Sequence, residues 1–484
     1  MLTFIKEHIL TILIVLNYII AISAAFTILL KNINPTKTLS YIIVLVFFPF
    51  LGILVYYLFG QEYRKNKIFN RKHILNRSLI KKINKDLELN EQELKEVDQT
   101  LEEKIKLVKL LHKSENAPLT LHNDVEILIN GNKKFEALLE DLKQAKNHIH
   151  LEYYILKDDK IGGQIIDILC EKAKQGVAVR LSVDDVGSKI SSASKKRLKN
   201  SGVSFYPFMP VLFPKFTGKM NYRNHRKIAI IDGLIGYLGG INISDNYVNY
   251  ENDALFWRDT HIRIQGEAVK LLQIHFLTTW DFVSGSDIQV SKQFFPESKT
   301  KKETKVQIAA SGPDTDWANI MEAILTAINT ADNYIYITTP YFIPNQQIIT
   351  ALQIASRSGV DVRIIIPKKS DSWIANHATN SYLQSLMEAG VKVYRYTKGF
   401  VHAKTQVVDD IFTSIGTANL DYRSFNINFE INALIYNEAV SKQLKKQFLE
   451  DIKDSQEIEL KRWEQRPKLM KLKESYSRLW APLL

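Results

Sequence analysis

The chain has 484 residues, too many for one ordinary hydrophobic core and enough for two or three domains. Hydrophobic residues make up 45% and charged residues 24%, a mixture that excludes wholesale disorder. Lys and Arg number 64 against 52 Asp and Glu, a formal charge of +12 that favours an anionic partner, either nucleic acid or lipid phosphate; the one cysteine, Cys170, excludes an intrachain disulfide framework.

In chain order, residues 1–60 come first and differ in kind from the rest. Residues 9–30 run for 22 residues without a charge and residues 39–59 for 21, each long enough to cross a hydrocarbon layer of ~30 Å as a helix. Asn34-Pro35 between them is a turn signal, so the pair reads as a transmembrane hairpin. Arg64, Lys65, Lys67, Arg71 and Lys72 follow the second span, whereas the loop carries only Lys31 and Lys37. The positive-inside bias therefore predicts a multi-pass protein of the cell membrane with its remaining chain in the cytoplasm. A cleaved signal peptide is the rival reading, with small residues at Ala21, Ser23, Ala24 and Ala25, but the apolar run exceeds a usual signal core. Residues 61–116 are predicted as a charged helical connector, with Leu87, Leu94, Leu101, Ile105 and Leu110 at roughly helical spacing and the charges on a solvated face.

Beyond residue 117 the order of elements occurs twice. In residues 117–290 the periodicity predicts a helix over 135–145, a strand over 148–155, a helix over 165–174 ended by Gly176 and a strand over 177–183. In residues 305–484 the same order returns as a helix over 320–330, a strand over 334–338, a helix over 348–358 ended by Gly359 and a strand over 360–366. This alternation predicts an α/β architecture: a mainly parallel sheet covered on both faces, present twice and joined by the polar stretch 284–305.

Each half carries one constellation. His225, Lys227, Asp232, Gly239 and Asn242 in the first are matched by His402, Lys404, Asp409, Gly416 and Asn419 in the second, at identical internal spacing. A single His-x-Lys-x4-Asp match is weak; two copies with the Asn in register are strong. The apolar run after Lys227, then Asp232-Gly233, then a returning apolar run is the pattern of a β-hairpin. His and Lys two apart project from one side of a strand. A phosphodiester anion repels ordinary nucleophiles, so attack on it needs cations for the phosphoryl oxygens and an uncharged nucleophile. Lys227 and Lys404, helped by the amides of Asn242 and Asn419, suit the first task; a neutral imidazole suits the second and can also move protons.

The paired motifs resemble those of the phospholipase D superfamily, and the wider chain is similar to the bacterial cardiolipin synthases of its membrane-bound branch. Supporting features are Ile129-Asn130-Gly131, Leu151-Glu152-Tyr153-Tyr154, Trp257-Arg258-Asp259-Thr260-His261, Ser311-Gly312-Pro313-Asp314, Thr339-Pro340-Tyr341-Phe342 and the closing Ala481-Pro482-Leu483-Leu484. The resemblance implies two α-β-α sandwich domains related by a pseudo-two-fold axis, with His225, Lys227, Asp232, His402, Lys404 and Asp409 in one active site. It implies that His225 attacks phosphorus to give a phosphatidyl-histidine while His402 serves as acid and base. In the synthases both donor and acceptor are phosphatidylglycerol, giving cardiolipin and glycerol.

A neutral imidazole needs a partner on its other nitrogen, and Asp259 and Glu430, at matching places after the two motifs, are the expected orienting carboxylates. Asp232 and Asp409 lie at hairpin turns, where their commoner use is to secure the local fold. His261 and His275 are read as structural. A Lys beside each His disfavours a further cation, so no metal or other cofactor is expected. Lys215, Lys219, Arg223 and Arg226, interleaved with Phe213, Phe216 and Tyr222, offer a basic and aromatic approach to anionic headgroups. The expected partners are thus phosphatidylglycerol and anionic membrane lipids, not nucleic acid. A phospholipase that hands the phosphatidyl group to water, another phosphatidyltransferase, a nuclease and an inactive lipid-binding scaffold are the rival readings.

Overall fold

The computed structural model describes residues 2–30, 35–59, 74–75, 77–115, 117–209, 222–251, 255–285 and 288–484. Residues Met1–Tyr63 and Arg64–Pro482 form separate compact units, and each is taken by itself.

In the first unit the helix Leu2–Leu30 holds the segment His8–Leu30, 23 residues long and apolar enough to cross a membrane, with only 11% of its most apolar window buried. Leucines and isoleucines cover it all round, as a helix facing hydrocarbon requires. The second apolar stretch forms two helices, Pro35–Phe47 and Pro49–Phe59, parted at Phe48. Proline has no N–H and pushes the residue before it out of the helical region, so the break falls one residue ahead of Pro49. Both short helices pack on the first helix, around Ala21, Ile28 and Leu45. The connection 31–34 and the basic cluster Arg64, Lys65, Lys67, Arg71 and Lys72 lie outside the described residues.

The second unit is built on two sheets of like topology. In spatial order the first runs Asn123–Ile129, Thr260–Gly266, Ile235–Gly239, Lys227–Ile231, His148–Tyr153, Ala178–Asp184, Ser204–Phe208. The second runs Lys305–Ser311, Glu430–Tyr436, Phe412–Gly416, Thr405–Val408, Tyr334–Thr338, Asp361–Pro367, Lys392–Tyr396, with Ser455–Glu457 added at its edge. Neither sheet is mainly parallel. In the first, only the ladders from His148–Tyr153 to Ala178–Asp184 and on to Ser204–Phe208 are parallel; the other four are antiparallel. The cause is local: a strand pair joined by a tight turn, here the three residues 232–234 and 409–411, must be antiparallel, and the His-x-Lys strand sits in such a hairpin at the centre of each sheet.

The outer face of the first sheet is covered by the helices Asn130–Gln144 and Lys160–Lys174, and that of the second by Asn319–Asn329, Gln346–Arg357 and Trp373–Glu388. Between them one shared apolar cluster joins the inner faces of both sheets with the helices Ala268–Ser284 and Glu438–Lys453. The hairpins of the two halves therefore meet at the centre of the unit.

The connector is more than a spacer. Its helix Ile105–Glu115 buries Leu107, Val108 and Leu111 in the core of the second half, against Ile320 and Ala323. Just before it, the buried Lys104 places its Nζ 2.7 Å from Asp409 Oδ2. A charged stretch thus has one apolar side committed to packing and only its opposite side in water.

Candidate active site

The first motif strand starts at Lys227 and the second at Thr405, one residue after Lys404. Lys227–Ile231 and Thr405–Val408 are buried along their whole length, and the histidine lies two residues before each lysine, where the chain enters the seam between the halves. The His225 N–H donates to the Phe429 carbonyl at 3.0 Å, and the His402 N–H to the Arg258 carbonyl at 2.7 Å. Each histidine is therefore held by the backbone of the other half, one residue before that half's carboxylate.

The side chains follow the same exchange. His225 Nδ1 lies 3.0 Å from Glu430 Oε2, and His402 Nδ1 lies 2.7 Å from Asp259 Oδ2. An ionised carboxylate only accepts, so each imidazole carries its proton on Nδ1 and presents a lone pair on Nε2. Sequence reasoning named these four residues; the structure adds that the pairs are crossed. Thr417 supports one of them, its hydroxyl donating to Glu430 Oε2 at 2.6 Å. Gly240, at the matching place in the first motif, lies so close to Asp259 that an added Cβ would sit 2.2 Å from its Oδ1.

Lys227 and Lys404 are buried, and each Nζ donates to the carbonyl of its own motif histidine at 2.6 Å. One ammonium thus stands beside each ring. Burial pushes Lys227 well below the ordinary lysine value and Lys404 down to about 8, against the pull of nearby carboxylates. Burial also pushes both His225 and His402 down to about 4, Glu430 and Asp259 opposing the shift and the lysines adding to it. Both rings are neutral at pH 7. Burial raises Asp259 and Glu430, but the imidazole beside each and the lysines outweigh it and hold both below the usual carboxylate range.

Asp232 and Asp409 do not join this group. Asp232 accepts the N–H groups of Lys146, Asn147 and His148, and Asp409 those of Asp332, Asn333 and Tyr334, all between 2.7 and 2.9 Å. Each stands at the far end of its motif strand, seven residues from the histidine, about 23 Å along an extended chain at the usual rise per residue. Both have positive φ, 54° and 53°, an αL turn conformation in which Asp is one of the few tolerated residues. They tie the hairpin turn to the loop entering the neighbouring strand, so the catalytic grouping of these two aspartates is corrected to a structural one.

The amide of Asn242 accepts from the Ile155 N–H at 3.1 Å and donates to the Tyr247 hydroxyl at 2.8 Å; that of Asn419 donates to Asp421 Oδ2 at 2.9 Å. Both thus brace the loops around the site. His261 Nδ1 accepts from the Ile241 N–H at 3.4 Å, as Asn432 Oδ1 accepts from Thr417 and Ala418, a structural use. Arg226 turns away from the surface, donating to Thr279 Oγ1 and to the Glu430 carbonyl at 3.2 and 3.4 Å. Lys215, Lys219, Phe213 and Phe216 lie outside the described residues.

Three aromatic residues stand against the rings, a position the sequence does not assign to them. Tyr154 stands edge-on to His225 with centroids 4.9 Å apart; Tyr247 and Trp257 stand 5.5 and 5.7 Å from His402. Lys134 is not marked by the sequence either: it is fully buried, without a hydrogen-bond partner among the described residues, and 4.0 Å from the Phe135 centroid, and burial pushes it well below the ordinary lysine value with Asp259 opposing the shift. Tyr154 and Trp257 lie in the runs 151–154 and 257–261 that carry the family resemblance; nothing in local spacing marks Tyr247 or Lys134.

Neutral burial has a cost in acid. His148, like His225 and His402, is pushed down to about 4 by burial, whereas an unfolded histidine titrates near ~6.5. Between those values the unfolded state binds more protons, so stability rises with pH; the depressed carboxylates act with the same sign further down. Each histidine contributes on the order of 3 kcal/mol. The unfolding temperature of the detergent-solubilised protein should fall steeply from pH 6.5 to 4 and level off above 7. A flat profile over that window would contradict neutral buried rings.

Comparison with known proteins adds a second line of support. A family model described as "Cardiolipin synthase, PLD-like domain" matches residues 138–280 and 324–452, and one described as "Phospholipase_D-nuclease N-terminal" matches residues 19–61. A cardiolipin synthase of Alkalihalophilus pseudofirmus is 43% identical over 458 residues, covering 94% of this chain and 90% of that protein. One of Listeria innocua is 39% identical over 481 residues, covering 99% of both. Among solved structures, the phosphatidylserine synthase of Haemophilus influenzae superposes with a TM-score of 0.59 at 14% identity, over 78% of this chain and all of that one, a likeness of fold.

Proposed function

The chain belongs to the cardiolipin synthase family of phospholipase D-like proteins, and from that membership we propose that it transfers a phosphatidyl group from one phosphatidylglycerol to another, releasing glycerol. The observation that carries the reading is the crossed pairing of His225 with Glu430 and His402 with Asp259, because it brings two neutral imidazoles and two lysines to one seam.

His225 is the nucleophile: its Nε2 lone pair forms the N–P bond as the P–O bond to glycerol breaks, and the departing oxygen takes a proton from His402. The bound phosphodiester's negative charge favours that proton on His402, opposing the burial that otherwise keeps the ring neutral. In the second half-reaction His402 takes a proton from the hydroxyl of the second phosphatidylglycerol, its oxygen attacks phosphorus, and the N–P bond breaks. Lys227 and Lys404 neutralise the phosphoryl oxygens as charge shifts onto them, with Asn242 and Asn419 bracing the loops that line them. Residues 117–290 and 305–484 act as two α-β-α domains about a pseudo-two-fold axis, as their matching strand orders support. The stretches 9–30 and 39–59 form the membrane hairpin, with the catalytic domains on the cytoplasmic side. Lipid, not nucleic acid, is then the partner.

Vesicles containing labelled phosphatidylglycerol test this. The expected products are a diphosphatidyl lipid and free glycerol in equal amounts. Phosphatidic acid as the main product would make the protein a hydrolase.

A further inference from the structure

One helix of the catalytic unit is folded inside out. In Lys468–Leu479 the residues turned to the protein are polar: Glu474 and Ser477 are buried, and Glu474 Oε2 takes Arg466 at 2.8 Å. The residues turned to solvent are apolar: Leu469, Leu472, Tyr476 and Leu479 are 64%, 65%, 53% and 73% exposed. At the helical turn of ~100° per residue these four fall within an arc of about 80°, opposite the buried side. Exposed Lys468 and Lys473 border that arc. A soluble surface helix carries the reverse arrangement, and a continuous exposed apolar stripe needs an apolar partner.

The helix is tied to the catalytic seam at its end. After Leu479 the chain turns through Ala481–Leu483, and the Leu484 carbonyl accepts the Arg423 N–H at 3.1 Å. The Arg423 carbonyl in turn accepts from the Asn428 N–H at 2.8 Å, and Asn428 Nδ2 reaches Glu430 Oε1 at 3.4 Å. Alongside the helix packs Trp373–Glu388, whose first residue is a 58% exposed tryptophan.

We propose that the apolar stripe Leu469, Leu472, Tyr476 and Leu479 docks the catalytic unit onto an anionic lipid surface, the helix lying in the headgroup region with its lysines on lipid phosphates. Leucines on one arc with basic residues at its borders are the composition of an interfacial helix, and the lysines choose an anionic bilayer over an uncharged protein face. The purpose of this docking rests on the lipid-transfer reading above: it holds the seam at the depth where a phosphodiester headgroup can enter without its acyl chains leaving the bilayer.

The test uses the full chain in proteoliposomes of phosphatidylglycerol and phosphatidylcholine at 3:7. Leu472→Cys, in a Cys170→Ser background, carries a fluorophore; doxyl groups near the lipid headgroups should quench it and aqueous iodide should not. Efficient iodide quenching overturns the proposal. Protection from both quenchers means that protein covers the stripe, a second copy or the chain's own apolar helices, and overturns it too. A second variant, Leu469→Gln with Leu472→Gln and Leu479→Gln, should lower transfer in proteoliposomes by about tenfold or more while leaving turnover of short-chain phosphatidylglycerol dissolved in detergent unchanged. Equal loss in both settings points to damage at the seam and counts against docking. Because quenching needs no turnover, a protein that makes no diphosphatidyl lipid yet shows doxyl quenching would refute the transfer reading and leave the docking standing.

Discussion

His225→Ala should leave no covalent phosphoenzyme and lower transfer by about 10⁵-fold or more, as loss of a nucleophile does where its partners act as a unit. His402→Ala should behave differently. It removes only the proton traffic, so transfer from phosphatidylglycerol falls by about 10² to 10⁴-fold, but a substrate with a nitrophenolate leaving group needs no proton and should still load His225. The measurement is a quench in alkaline detergent with a donor labelled at phosphorus, followed by mapping of the alkali-stable, acid-labile label. In the wild type the second phosphatidylglycerol discharges the label; in His402→Ala the hydroxyl attack lacks its base, so the label accumulates on His225. Label on His402 in the His225→Ala protein would reverse the two roles. No label in any of the three proteins would remove the covalent route altogether. Geometry makes this test sharp, since both rings are neutral and both present Nε2, so nothing in their protonation alone ranks one above the other.

Why the two motifs are readable from the sequence, and which carboxylate serves which histidine is not, is a matter of distance along the chain. His, Lys, Asp and Asn recur within 18 residues, and a hairpin converts that spacing directly into proximity. Here only the grouping implied by the family resemblance needs amending: an aspartate at the hairpin turn is separated from the histidine by the length of the strand, so Asp232 and Asp409 hold neighbouring backbone, the use their turn positions suggest. The alternation of helices and strands was readable, but the parallel sheet inferred from it was wrong at the centre, where the same hairpin forces antiparallel pairing. Asp259 and Glu430 were recognisable as matched positions, His261 and Asn432 lying opposite Gly239 and Gly416 in the two ladders. Which histidine each carboxylate serves depends on how the halves pack, 143 and 205 residues away in sequence. Tyr247 near His402 and the charge of Lys134 near Asp259 are equally products of packing. The inside-out helix at Lys468–Leu479 shows the opposite case: its 3.6-residue pattern is plain, but a pattern says which residues share a face, not whether that face meets protein or lipid.

The crossed pairing also makes a prediction that uncrossed pairing cannot. Asp259→Asn should cost on the order of 10³-fold in transfer, because an amide can offer its N–H to Nδ1 and so turn the proton onto Nε2, the wrong tautomer for a base. Glu430→Gln should cost a similar factor through His225, and the labelling step separates the two: Glu430→Gln slows formation of the phosphoenzyme even from the nitrophenyl donor, whereas Asp259→Asn spares that step and slows discharge. Double variants complete the argument. If Asp259 acts through His402, then Asp259→Asn added to His402→Ala should cost little more than His402→Ala alone, while Asp259→Asn added to Glu430→Gln should cost nearly the product of the two single effects. Pairing within each half predicts the reverse, with Asp259 silent once His225 is gone. The residual effect of Asp259→Asn in the His402→Ala background has a structural floor, since Asp259 Oδ1 also accepts the Thr260 N–H at 2.7 Å; the unfolding temperature of each variant shows how much of the loss that contact explains. A cycle in which Asp259 and His402 combine as independent effects, with the fold intact, would break the link between the two halves on which the single-seam chemistry depends.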